Sequence, residues 1–524
     1  MPNLDKLLAG LETDLSIAST SASDATKDKS ANGISIEGIV IEGITTDPEL
    51  CRKNFLYVAE ESETVDSTRY GVRLDGRDYI ERALANGATV VLSTPETKLP
   101  ANSSATLLHH ALPLSILGPI CSAFYGEPKP KNIALITGTN GKTSTVNFCK
   151  MLWSASGLES CSVGNLGGVL TDGTLIWDRD PTLSVPETVT LHTMLNTLAR
   201  RNINHVAFEA TSHAIFDYRL HGVAANIGAF TNLTRDHLDF HLTMEEYFRV
   251  KMMLFNNILE PGSHAILNAD AEWFAPALEI CQARKHKIIT YGRNADNGPA
   301  NVRLVESKPQ PLGQKLTLSI FGKAYQCKLN LFGEFQASNA LCALSIVIAS
   351  GVAVEEAVAN LETLSEVEGR LNLVATSASG GKVIVDYAHS PDAIRAALEA
   401  CRSFTPGKLT IVFGCNGERD LGKRKDMGEV AQALADSVIV TDGHPRSEEP
   451  ANIRKDVLVG APKAREIAGR VEAITEAISS LTSGDTVLIA GLGHENFQSI
   501  DGKNVPYSDR ETAQKIALGL SSKA

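Results

Sequence analysis

Apolar and polar positions divide the first part of the chain into short apolar runs and one helical stretch. Between residues 35 and 126 the runs FLYVA, TVVLS and LSILG alternate with the stretch YIERALANG. Short apolar runs are typical of buried strands, so we predict a small α/β domain here. Residues 1–34 contain IASTSASDATKDKSANG, which is polar and non-periodic, and they are predicted to form a flexible N-terminal segment.

A second α/β domain is predicted for residues 127–368, after the linker-like stretch GEPKPKN. The run IALI precedes a helix from about Thr143, and the buried runs HVAFEAT and NIGAFTNL follow it. The spelling T-M-E-E, Thr243 to Glu246, predicts the start of another helix. A long helix after Ser338 and the loop SEVEGR complete the domain.

Residues 369–524 repeat one theme, in which an apolar strand is followed by a helix. VIVDYA precedes a helix from Pro391, LTIVFGC precedes one from about Lys425, and SVIVTDG and TVLIAGLG are two further apolar runs. Fully apolar strands that alternate with helices predict a parallel, doubly wound sheet. Because ligands of such sheets bind beyond the carboxyl ends of the strands, we expect ligand-binding residues just after each run.

Composition narrows the class of protein. The chain has 524 residues, too many for one core, of which 43% are apolar and 21% charged. It shows neither an apolar run of roughly 18 residues nor a secretory signal, so we expect no membrane insertion. Nine cysteines without a C-x-x-C spacing indicate reduced thiols and a cytoplasmic protein. A net charge of −12 argues against nucleic-acid binding.

The stretch ITGTNGKTST resembles a phosphate-binding loop between a strand and a helix. Ile136 stands where the common pattern has its first glycine, but Gly141, Lys142 and Thr143 complete the required ending. Backbone N–H groups of such a loop bind phosphate, the lysine reaches the terminal phosphates, and the threonine can bind magnesium. We therefore predict a nucleoside triphosphate site.

Other polar residues follow strands of the same predicted sheet. Glu209 ends the run HVAFEAT, where a magnesium ligand is needed, although a solvated acid is the simpler alternative. In TNLTRDHLDFH two histidines and acids follow another strand, but their spacing fits no zinc pattern, and His237 taken alone is more often structural. Lys251 lies on a predicted helix, where a solvated lysine is the simpler interpretation.

Three charged loops follow the C-terminal strands, namely GERDLGKR, GHPRSEEP and GLGHE. They supply Arg419 and Arg446, which suit carboxylates, and Glu495, which suits an ammonium group. Two arginines and an acid predict a pocket for a zwitterion such as an amino acid. Three ordinary surface loops are the alternative.

Together these segments resemble the Mur ligase family, and within it the MurE type. The resemblance extends from about residue 36 to 520. It rests on segments that occur in the family's order: GTNGKTST, FEATSH, TNLTRDHLDFH, EYFRVK, FQASNALCAL, VDYAHSPDAI, FGCNGERDLGKR, HPRSEEP and GLGHENFQ. It implies a uridine-nucleotide domain, a central P-loop ATPase domain and a C-terminal Rossmann-like domain, with a monomer as the expected state.

The implied reaction is the ATP-dependent addition of meso-2,6-diaminopimelate to UDP-MurNAc-L-Ala-D-Glu, a step of peptidoglycan precursor synthesis. A carboxylate receives the γ-phosphate of ATP, an amine attacks the acyl phosphate, and ADP and phosphate are released. Two Mg²⁺ ions are expected. This chemistry is reasonable because a carboxylate acylates poorly until its oxygen has become a phosphate leaving group.

The resemblance also implies roles for individual residues. ATP is expected at Gly138, Thr139, Asn140, Gly141, Lys142, Thr143, Ser144 and Asn339. The catalytic and metal-binding set is Lys142, Thr143, Glu209, His237 and Lys251, with Lys251 carbamylated so that it gains a carboxylate-like group. The uridine substrate is expected at Asp47, Ser184, Val185, Thr211, Asp217 and Arg219. The amino acid is expected at Arg419, Gly443, His444, Pro445, Arg446, Gly491 and Glu495.

Some positions depart from the family pattern. The motif D-S-R appears as Asp47-Pro48-Glu49, and two usual threonines are Ser184 and Val185, so Val185 can offer only its backbone. The D-N-P-R motif of diaminopimelate-adding members appears as G-H-P-R. It keeps Arg446, and burying this cation without a partner would cost roughly several kcal/mol, which favours a diacid substrate.

Three alternatives are open from the sequence. The same chemistry could serve L-lysine or ornithine, or a folylpolyglutamate-type enzyme, although the domain before the loop and the HPR and GLGHE segments disfavour the latter. A nucleotide-binding homologue that has lost catalysis belongs to another class. Intact Lys142, Glu209, His237 and Lys251 argue against it.

Overall fold

The computed structural model describes residues 2–9, 11, 15–19, 38–59, 75–178, 183–293, 300–310 and 313–519. Their strands form three main sheets and a separate hairpin. No helix within these ranges is long and apolar enough to cross a bilayer. All nine cysteines are buried free thiols, which confirms the prediction of unpaired cysteines.

The N-terminal domain is a five-stranded sheet with helices. Its helices are α1 (Leu4–Leu8), α2 (Ile80–Ala85) and α3 (Pro113–Tyr125), and its strands are β1 (Ser16–Ser19), β2 (Gly43–Thr45), β3 (Phe55–Val58), β4 (Ala88–Ser93) and β5 (Thr106–His109). The strand order is β1-β5-β4-β3-β2, and only β1 runs antiparallel to its neighbour. The predicted small α/β fold is confirmed.

Part of the predicted flexible segment is ordered. Helix α1 buries Leu4, Leu7 and Leu8 in the domain core, and β1 pairs with β5. The five-residue amphipathic pattern LDKLL is too short to be recognised as a helix without the sheet on which it packs. Residues 20–37, which carry most of the polar stretch, lie outside the described ranges.

The central domain is built on an eleven-stranded sheet. Its strands are β6 (Asn132–Thr137), β7 (Ser160–Gly164), β8 (Gly167–Leu170), β9 (Leu175–Trp177), β10 (His205–Glu209), β11 (Ile227–Phe230), β12 (His264–Asn268), β13 (Lys287–Gly292), β14 (Val302–Gln310), β15 (Gly313–Ile320) and β16 (Lys323–Leu329). The order is β16-β15-β14-β13-β12-β11-β6-β10-β7-β8-β9. The central strands β14, β13, β12, β11, β6, β10 and β7 run parallel to one another. Antiparallel strands extend both edges of the sheet, β15 and β16 at one edge and β8 and β9 at the other.

Helices cover both faces of this sheet, and the sheet separates two hydrophobic cores. They are α4 (Lys142–Ala155), α5 (Thr188–Arg200), α6 (Ser212–Phe216), α7 (Leu238–His241), α8 (Met244–Met253), α9 (Phe274–Ala283), α10 (Glu334–Ala349) and α11 (Val354–Ala359). The predicted start of α8 is confirmed, because Thr243 Oγ1 accepts a hydrogen bond from Glu246 N at 3.1 Å. Helix α10 begins four residues before the predicted Ser338, at Glu334.

The C-terminal domain has the predicted doubly wound sheet. Its strands are β17 (Asn372–Thr376), β18 (Lys382–Asp386), β19 (Leu409–Phe413), β20 (Ser437–Val440), β21 (Arg465–Glu466) and β22 (Thr486–Ala490), and its helices are α12 (Pro391–Arg402), α13 (Gly422–Leu434), α14 (Pro450–Gly460), α15 (Arg470–Ser479) and α16 (Asp509–Ala517). The order is β17-β18-β22-β19-β20-β21, with only β17 antiparallel. The hairpin β23 (Phe497–Ile500) and β24 (Lys503–Pro506) follows β22. The domain boundaries after residues 34, 126 and 368 stay predictions.

Candidate active site

One cavity of about 1100 Å³ is lined by residues of both the central and the C-terminal domains. The predicted residues that line it are Thr139, Asn140, Gly141, Lys142, Thr143, Ser144, Ser184, Glu209, Thr211, Asp217, Arg219, His237, Lys251, Asn339, Arg419, His444, Arg446 and Glu495. Residues 138–144, Glu209 and Lys251 are called the phosphate-loop region below. Residues 443–446 and 491–495 are called the strand-tip region.

Six predicted site residues are not part of the lining. Gly138 lies one residue before it, and Gly443, Pro445 and Gly491 lie within the strand-tip region behind residues that do line it. Val185 is buried in a core of the central domain. Asp47 lies in the N-terminal domain after strand β2, where its carboxylate accepts a hydrogen bond from Glu49 N at 2.8 Å and caps a short 3-10 helix.

Two glycines give the phosphate loop its shape. Gly138 and Gly141 have φ angles of 145° and 90°, which side-chain-bearing residues rarely adopt. A Cβ at Gly138 would collide with Thr231 Oγ1, and one at Gly141 would collide with the side-chain amide of Asn339. Substitution by alanine is therefore excluded at both positions by conformation and by space.

Lys142 folds back onto the loop from the first turn of α4. Its Nζ donates to the carbonyl oxygens of Gly138 and Thr139 at 3.0 and 2.8 Å. Burial lowers the pKa of Lys142 below its ordinary value, although the charges of Glu209 and Asp236 act in the opposite direction. The ammonium group is thus held beside the loop backbone, where phosphate oxygens bind in such loops.

Glu209 is fully buried at the carboxyl end of β10 and forms a compact cluster with Thr143. Its Oε1 accepts hydrogen bonds from Thr143 Oγ1 and from Asn165 N, both at 2.8 Å, and its Oε2 accepts one from Asn165 Nδ2 at 3.2 Å. A Cβ at Gly164 would collide with this carboxylate. The solvated acid that the sequence left open is therefore wrong for Glu209.

Lys251 is 1% exposed, so the solvated position suggested by its sequence context alone is also wrong. Its Nζ donates to Gly138 O at 2.8 Å and lies 4.4 Å from the centroid of the Tyr247 ring. Burial, aided by the charge of Lys142, lowers the pKa of Lys251 well below its ordinary value. A lysine in such surroundings exists partly as the neutral amine, which is the form that reacts with carbon dioxide.

His237 lies beside Asp236, one of the acids of TNLTRDHLDFH, whose contact with the C-terminal domain the sequence did not predict. The Nε2 of His237 is 3.6 Å from Asp236 Oδ2, and burial lowers the pKa of His237 to about 3 despite this acid. From the C-terminal domain, Lys423 Nζ and His389 Nε2 lie 3.0 and 3.5 Å from the Asp236 carboxylate. Burial would raise the pKa of Asp236, but these neighbours hold it well below its ordinary value.

Arg370 also connects the two domains and was missed. Its Nη2 donates to Thr143 Oγ1 at 2.9 Å, its Nη1 lies 3.2 Å from His494 Nδ1, and its guanidinium packs on the Tyr387 ring at 4.5 Å. It lies in the quoted loop SEVEGR, but nothing in that loop indicates that it reaches the phosphate-loop region. Asn165 was missed too, although it directly follows strand β7.

The strand-tip region contains a short hydrogen-bond chain. His444 Nδ1 accepts from Ser499 N at 2.9 Å, so the ring proton of the neutral imidazole is on Nε2, which donates to Glu495 Oε2 at 2.7 Å. Arg419 Nη1 lies 3.7 Å from Asp239 Oδ2 of the central domain. Arg446 has a left-handed backbone with φ 57°. Two cations and a buried acid therefore meet in the cavity, as the loops after the strands predict.

Four of the six residues expected to bind the uridine substrate line the cavity from the central domain, namely Ser184, Thr211, Asp217 and Arg219. Ser184 Oγ donates to Asn165 Oδ1 at 2.8 Å, and Asp217 pairs with Arg219 at 2.6 Å. Thr211 caps α6 by accepting from Ala214 N at 3.2 Å. Hydroxyl, carboxylate and guanidinium groups are thus available for a nucleotide–peptide substrate on this side.

Comparison with known proteins agrees with this arrangement. Residues 136–347 match the Mur ligase middle domain, and residues 369–493 match the Mur ligase glutamate ligase domain. The UDP-N-acetylmuramoyl-L-alanyl-D-glutamate–2,6-diaminopimelate ligase of Zymomonas mobilis is 42% identical over 86% of this chain and 90% of its own length. The chain belongs to the Mur ligase family. The ligase of the same name from Rhizobium meliloti is 38% identical over 92% of this chain and 95% of its own.

Solved Mur ligase structures share the fold. A UDP-N-acetylmuramoyl-L-alanyl-D-glutamate–2,6-diaminopimelate ligase superposes with a TM-score of 0.63 and 27% identity, covering 91% of this chain and 95% of its own. MurF from Thermotoga maritima in complex with ADP gives a TM-score of 0.62 over 92% of this chain and 98% of its own. At 17% identity this second likeness concerns the fold alone.

The donor groups of this Mur ligase fit magnesium at one point of the cavity. Thr143 and Glu209 bring a hydroxyl and a carboxylate oxygen within 2.8 Å of each other, and Mg²⁺ prefers such oxygen ligands. Among the described residues, no group of three His, Cys, Asp or Glu side chains could hold a metal ion by itself. Further oxygens must therefore come from phosphates, water or a modified Lys251.

Proposed function

We propose that this Mur ligase joins meso-2,6-diaminopimelate to UDP-MurNAc-L-Ala-D-Glu, with ATP as co-substrate. The main support for this proposal is that one cavity is lined both by the phosphate loop and by Arg419, Arg446 and Glu495. Forming an amide from a carboxylate requires an activated acyl group and an amine in one place. The names of the relatives in Zymomonas mobilis and Rhizobium meliloti support the same reaction.

The first step transfers the γ-phosphoryl group of ATP to the D-glutamyl carboxylate. The bond between the β,γ-bridging oxygen and the γ-phosphorus breaks, ADP leaves, and the carboxylate oxygen gains the phosphoryl group. Lys142 lies on the loop carbonyls and Arg370 reaches Thr143, so two cations can compensate charge on the transferred group. The side-chain amide of Asn339 occupies the space that a Cβ at Gly141 would need, and from this position it is proposed to contact the adenine side of the nucleotide.

Magnesium is proposed at Thr143, Glu209, His237 and a carbamylated Lys251, as the chemistry of these side chains allows. When bound, Mg²⁺ supplies positive charge that stabilises the phosphoryl oxygens. The buried amine of Lys251 becomes an anionic oxygen donor only after it has bound carbon dioxide. His237 with a pKa of about 3 is neutral at physiological pH, the form in which a histidine binds metal.

The second step is attack of a neutral amine of the amino acid on the acyl carbon. A tetrahedral intermediate forms and collapses with loss of inorganic phosphate, and the amine gives up one proton to complete the amide. Arg446 and Arg419 suit the carboxylates of the incoming molecule and Glu495 suits its ammonium group. The second, distal carboxylate of diaminopimelate gives Arg446 a partner that lysine lacks.

The enzyme is proposed to act as a cytoplasmic monomer, since one chain supplies all the groups used above. The test is ADP release by the purified protein. We expect release only when UDP-MurNAc-L-Ala-D-Glu and diaminopimelate are both present, with L-lysine and L-ornithine at least tenfold poorer in kcat/KM. Basal ATP hydrolysis unaffected by either substrate would contradict the proposal, and equal use of lysine would contradict the choice of amino acid.

A further inference from the structure

The hairpin β23–β24 borders the strand-tip region. Its residues Phe497, Ser499, Gly502 and Asn504 line the cavity. The strand Lys503–Pro506 is exposed on its other side. The hairpin therefore forms one wall of the pocket for the amino acid while packing little of itself into the domain.

Four hydrogen bonds attach this hairpin to residues 443–446. Gln498 Nε2 donates to Gly443 O at 2.8 Å, and Ser499 N donates to His444 Nδ1 at 2.9 Å. Arg446 N donates to Ser499 O at 2.9 Å, and Asp501 N donates to Arg446 O at 2.7 Å. Three of the four residues in this segment are thus bonded to one hairpin.

The bonds at Arg446 have a specific consequence. Its φ of 57° is a left-handed conformation that a residue with a side chain adopts at a cost in free energy. The hairpin binds both the N–H and the C=O of this residue, and so holds the peptide groups on either side of its Cα. This fixes the direction in which the Arg446 side chain leaves the backbone.

The bond at His444 has a second consequence, which reaches Glu495. Because Ser499 N–H donates to Nδ1, the proton of the neutral ring is on Nε2 and is donated to Glu495 Oε2. The ring also packs on Phe497, with centroids 5.3 Å apart. The hairpin therefore orients the acid proposed for the substrate ammonium as well as the guanidinium proposed for its carboxylate.

We propose that the hairpin β23–β24 is a specificity element, which holds Arg446 and Glu495 at the spacing of a diamino diacid. Gln498 and Ser499 act as positioning residues, since they work through Gly443, His444 and Arg446. This inference rests on the proposed function, because it concerns how the same site selects its amino acid.

The test removes the hairpin and leaves its base. Asn496 and Tyr507 are bonded at the base, where Tyr507 N donates to Asn496 O at 2.9 Å, and Phe497 pairs with Pro506. Residues 498–505 are replaced by Asn-Gly, a two-residue turn that joins paired strands. None of these eight residues, all of them described, belongs to a hydrophobic core cluster, so the domain should fold.

The shortened enzyme is expected to show a KM for diaminopimelate raised at least twentyfold, with the KM for ATP within twofold of the parent value. Its preference for diaminopimelate over lysine should fall at least tenfold. The matched control is Phe321→Asn, at the exposed tip between β15 and β16, which should change neither KM. A diaminopimelate KM within twofold of the parent, or an equal rise in both KM values, would overturn the inference.

A smaller variant keeps the inference testable if the shortened chain does not fold. Gln498→Leu removes one bond to Gly443 and should raise the KM for diaminopimelate about threefold or more without changing that for ATP. An unchanged KM would overturn the inference. The proposed function fails separately, if the parent enzyme itself releases no ADP in response to diaminopimelate.

Discussion

The phosphate-loop region and the strand-tip region are held together by different contacts. In the first, Lys142 and Lys251 bond to carbonyls of the loop itself, and Glu209 bonds to Thr143 and Asn165 of the same domain. In the second, His444 and Arg446 are bonded to the hairpin β23–β24, and the neighbouring Arg419 lies 3.7 Å from Asp239 of the central domain. The first is built mostly from the central domain, with Arg370 as a contact from the C-terminal domain, whereas the second borders a hairpin and the opposing domain.

The two regions are expected to have different tasks, phosphoryl transfer in the phosphate-loop region and selection of the amino acid in the strand-tip region. Phosphoryl transfer needs buried charges at fixed positions, and the central domain provides most of them, with Arg370 added from the C-terminal domain. The amino acid enters a region whose walls belong to another domain, which touches the first through Lys423 and Asp236. Damage to the first region should lower turnover with any amino acid, and damage to the second should change which amino acid is used.

The largest effect is expected from Lys251→Ala in the phosphate-loop region. This buried amine is proposed to carry the carbamate, and its loss should lower kcat by roughly a thousandfold, the upper range for one electrostatic group. Short carboxylic acids, added at millimolar concentration, should restore part of the activity because they replace the carbamate. The measurement is ADP release with and without acetate or formate.

Arg249→Ala is the control for this variant, because Arg249 lies on the same helix with an exposed side chain paired to Glu246. Exposed pairs contribute little, so its activity should stay within twofold. Full activity of Lys251→Ala would remove the lysine from the metal site. Equal loss in both variants would point to damage of helix α8.

The next largest effect concerns the contact between the central and the C-terminal domains. Lys423→Met leaves Asp236 buried without its lysine, and breaking a buried pair costs about 3–5 kcal/mol. We expect kcat/KM to fall by roughly a hundredfold or more with every amino acid, because Asp236 also lies beside His237. Small-angle X-ray scattering should show a larger radius of gyration. Lys425→Ala, exposed on the same helix, is the control and should behave like the parent.

The sequence predicted the phosphate-loop region better than the strand-tip region. The former is local, because a glycine-lysine-threonine ending after a strand fixes the backbone and the side chains together. The loops after the strands were also found, since parallel strands end at one edge of a sheet. Hairpin β23–β24 was not, because two of its four bonds to residues 443–446 join backbone to backbone and the other two each use one backbone group, which no residue type encodes.

The contacts between domains were also not predicted from the sequence. Asp236 and Lys423 both stand in segments that the sequence analysis quoted, but their spacing along the chain gives no sign that they meet. Arg370 is similar, as it contacts Thr143 from 227 positions away. Long-range ion pairs depend on how two domains dock, and one sequence contains no periodicity that reports docking.

Arg446→Ala tests the strand-tip region directly. Losing a charged hydrogen bond to a carboxylate costs about 1.5–3 kcal/mol, so the KM for diaminopimelate should rise roughly ten- to hundredfold. The KM for ATP should change less than twofold, since Arg446 lies in the strand-tip region of the C-terminal domain and the phosphate loop lies in the central domain. Steady-state kinetics with each substrate varied in turn gives both values. An equal rise in the two would mean that the amino acid binds elsewhere.

The smallest effect is expected from Arg235→Gln, beside the pair Lys423–Asp236. Arg235 binds Asp420 through two hydrogen bonds of 3.0 Å, but its side chain is 43% exposed, whereas that of Lys423 is 5% exposed. Only the arginine side of this pair is exposed, since the Asp420 side chain is 7% exposed, so the pair should contribute near the upper end of the range for exposed pairs, about 1 kcal/mol, and kcat/KM should fall about fivefold. At 1 M salt the Debye length is roughly 3 Å, so the attraction between exposed charges is largely screened. The kcat/KM of the parent enzyme should therefore fall in high salt by about the same factor as in Arg235→Gln, and the kcat/KM of the variant should fall little further. If Arg235→Gln instead matched Lys423→Met in its effect on kcat/KM, the docking of the two domains would rest on the exposed pair. The contact between the two domains would then depend on an ion pair at the surface of the interface rather than on the buried Asp236.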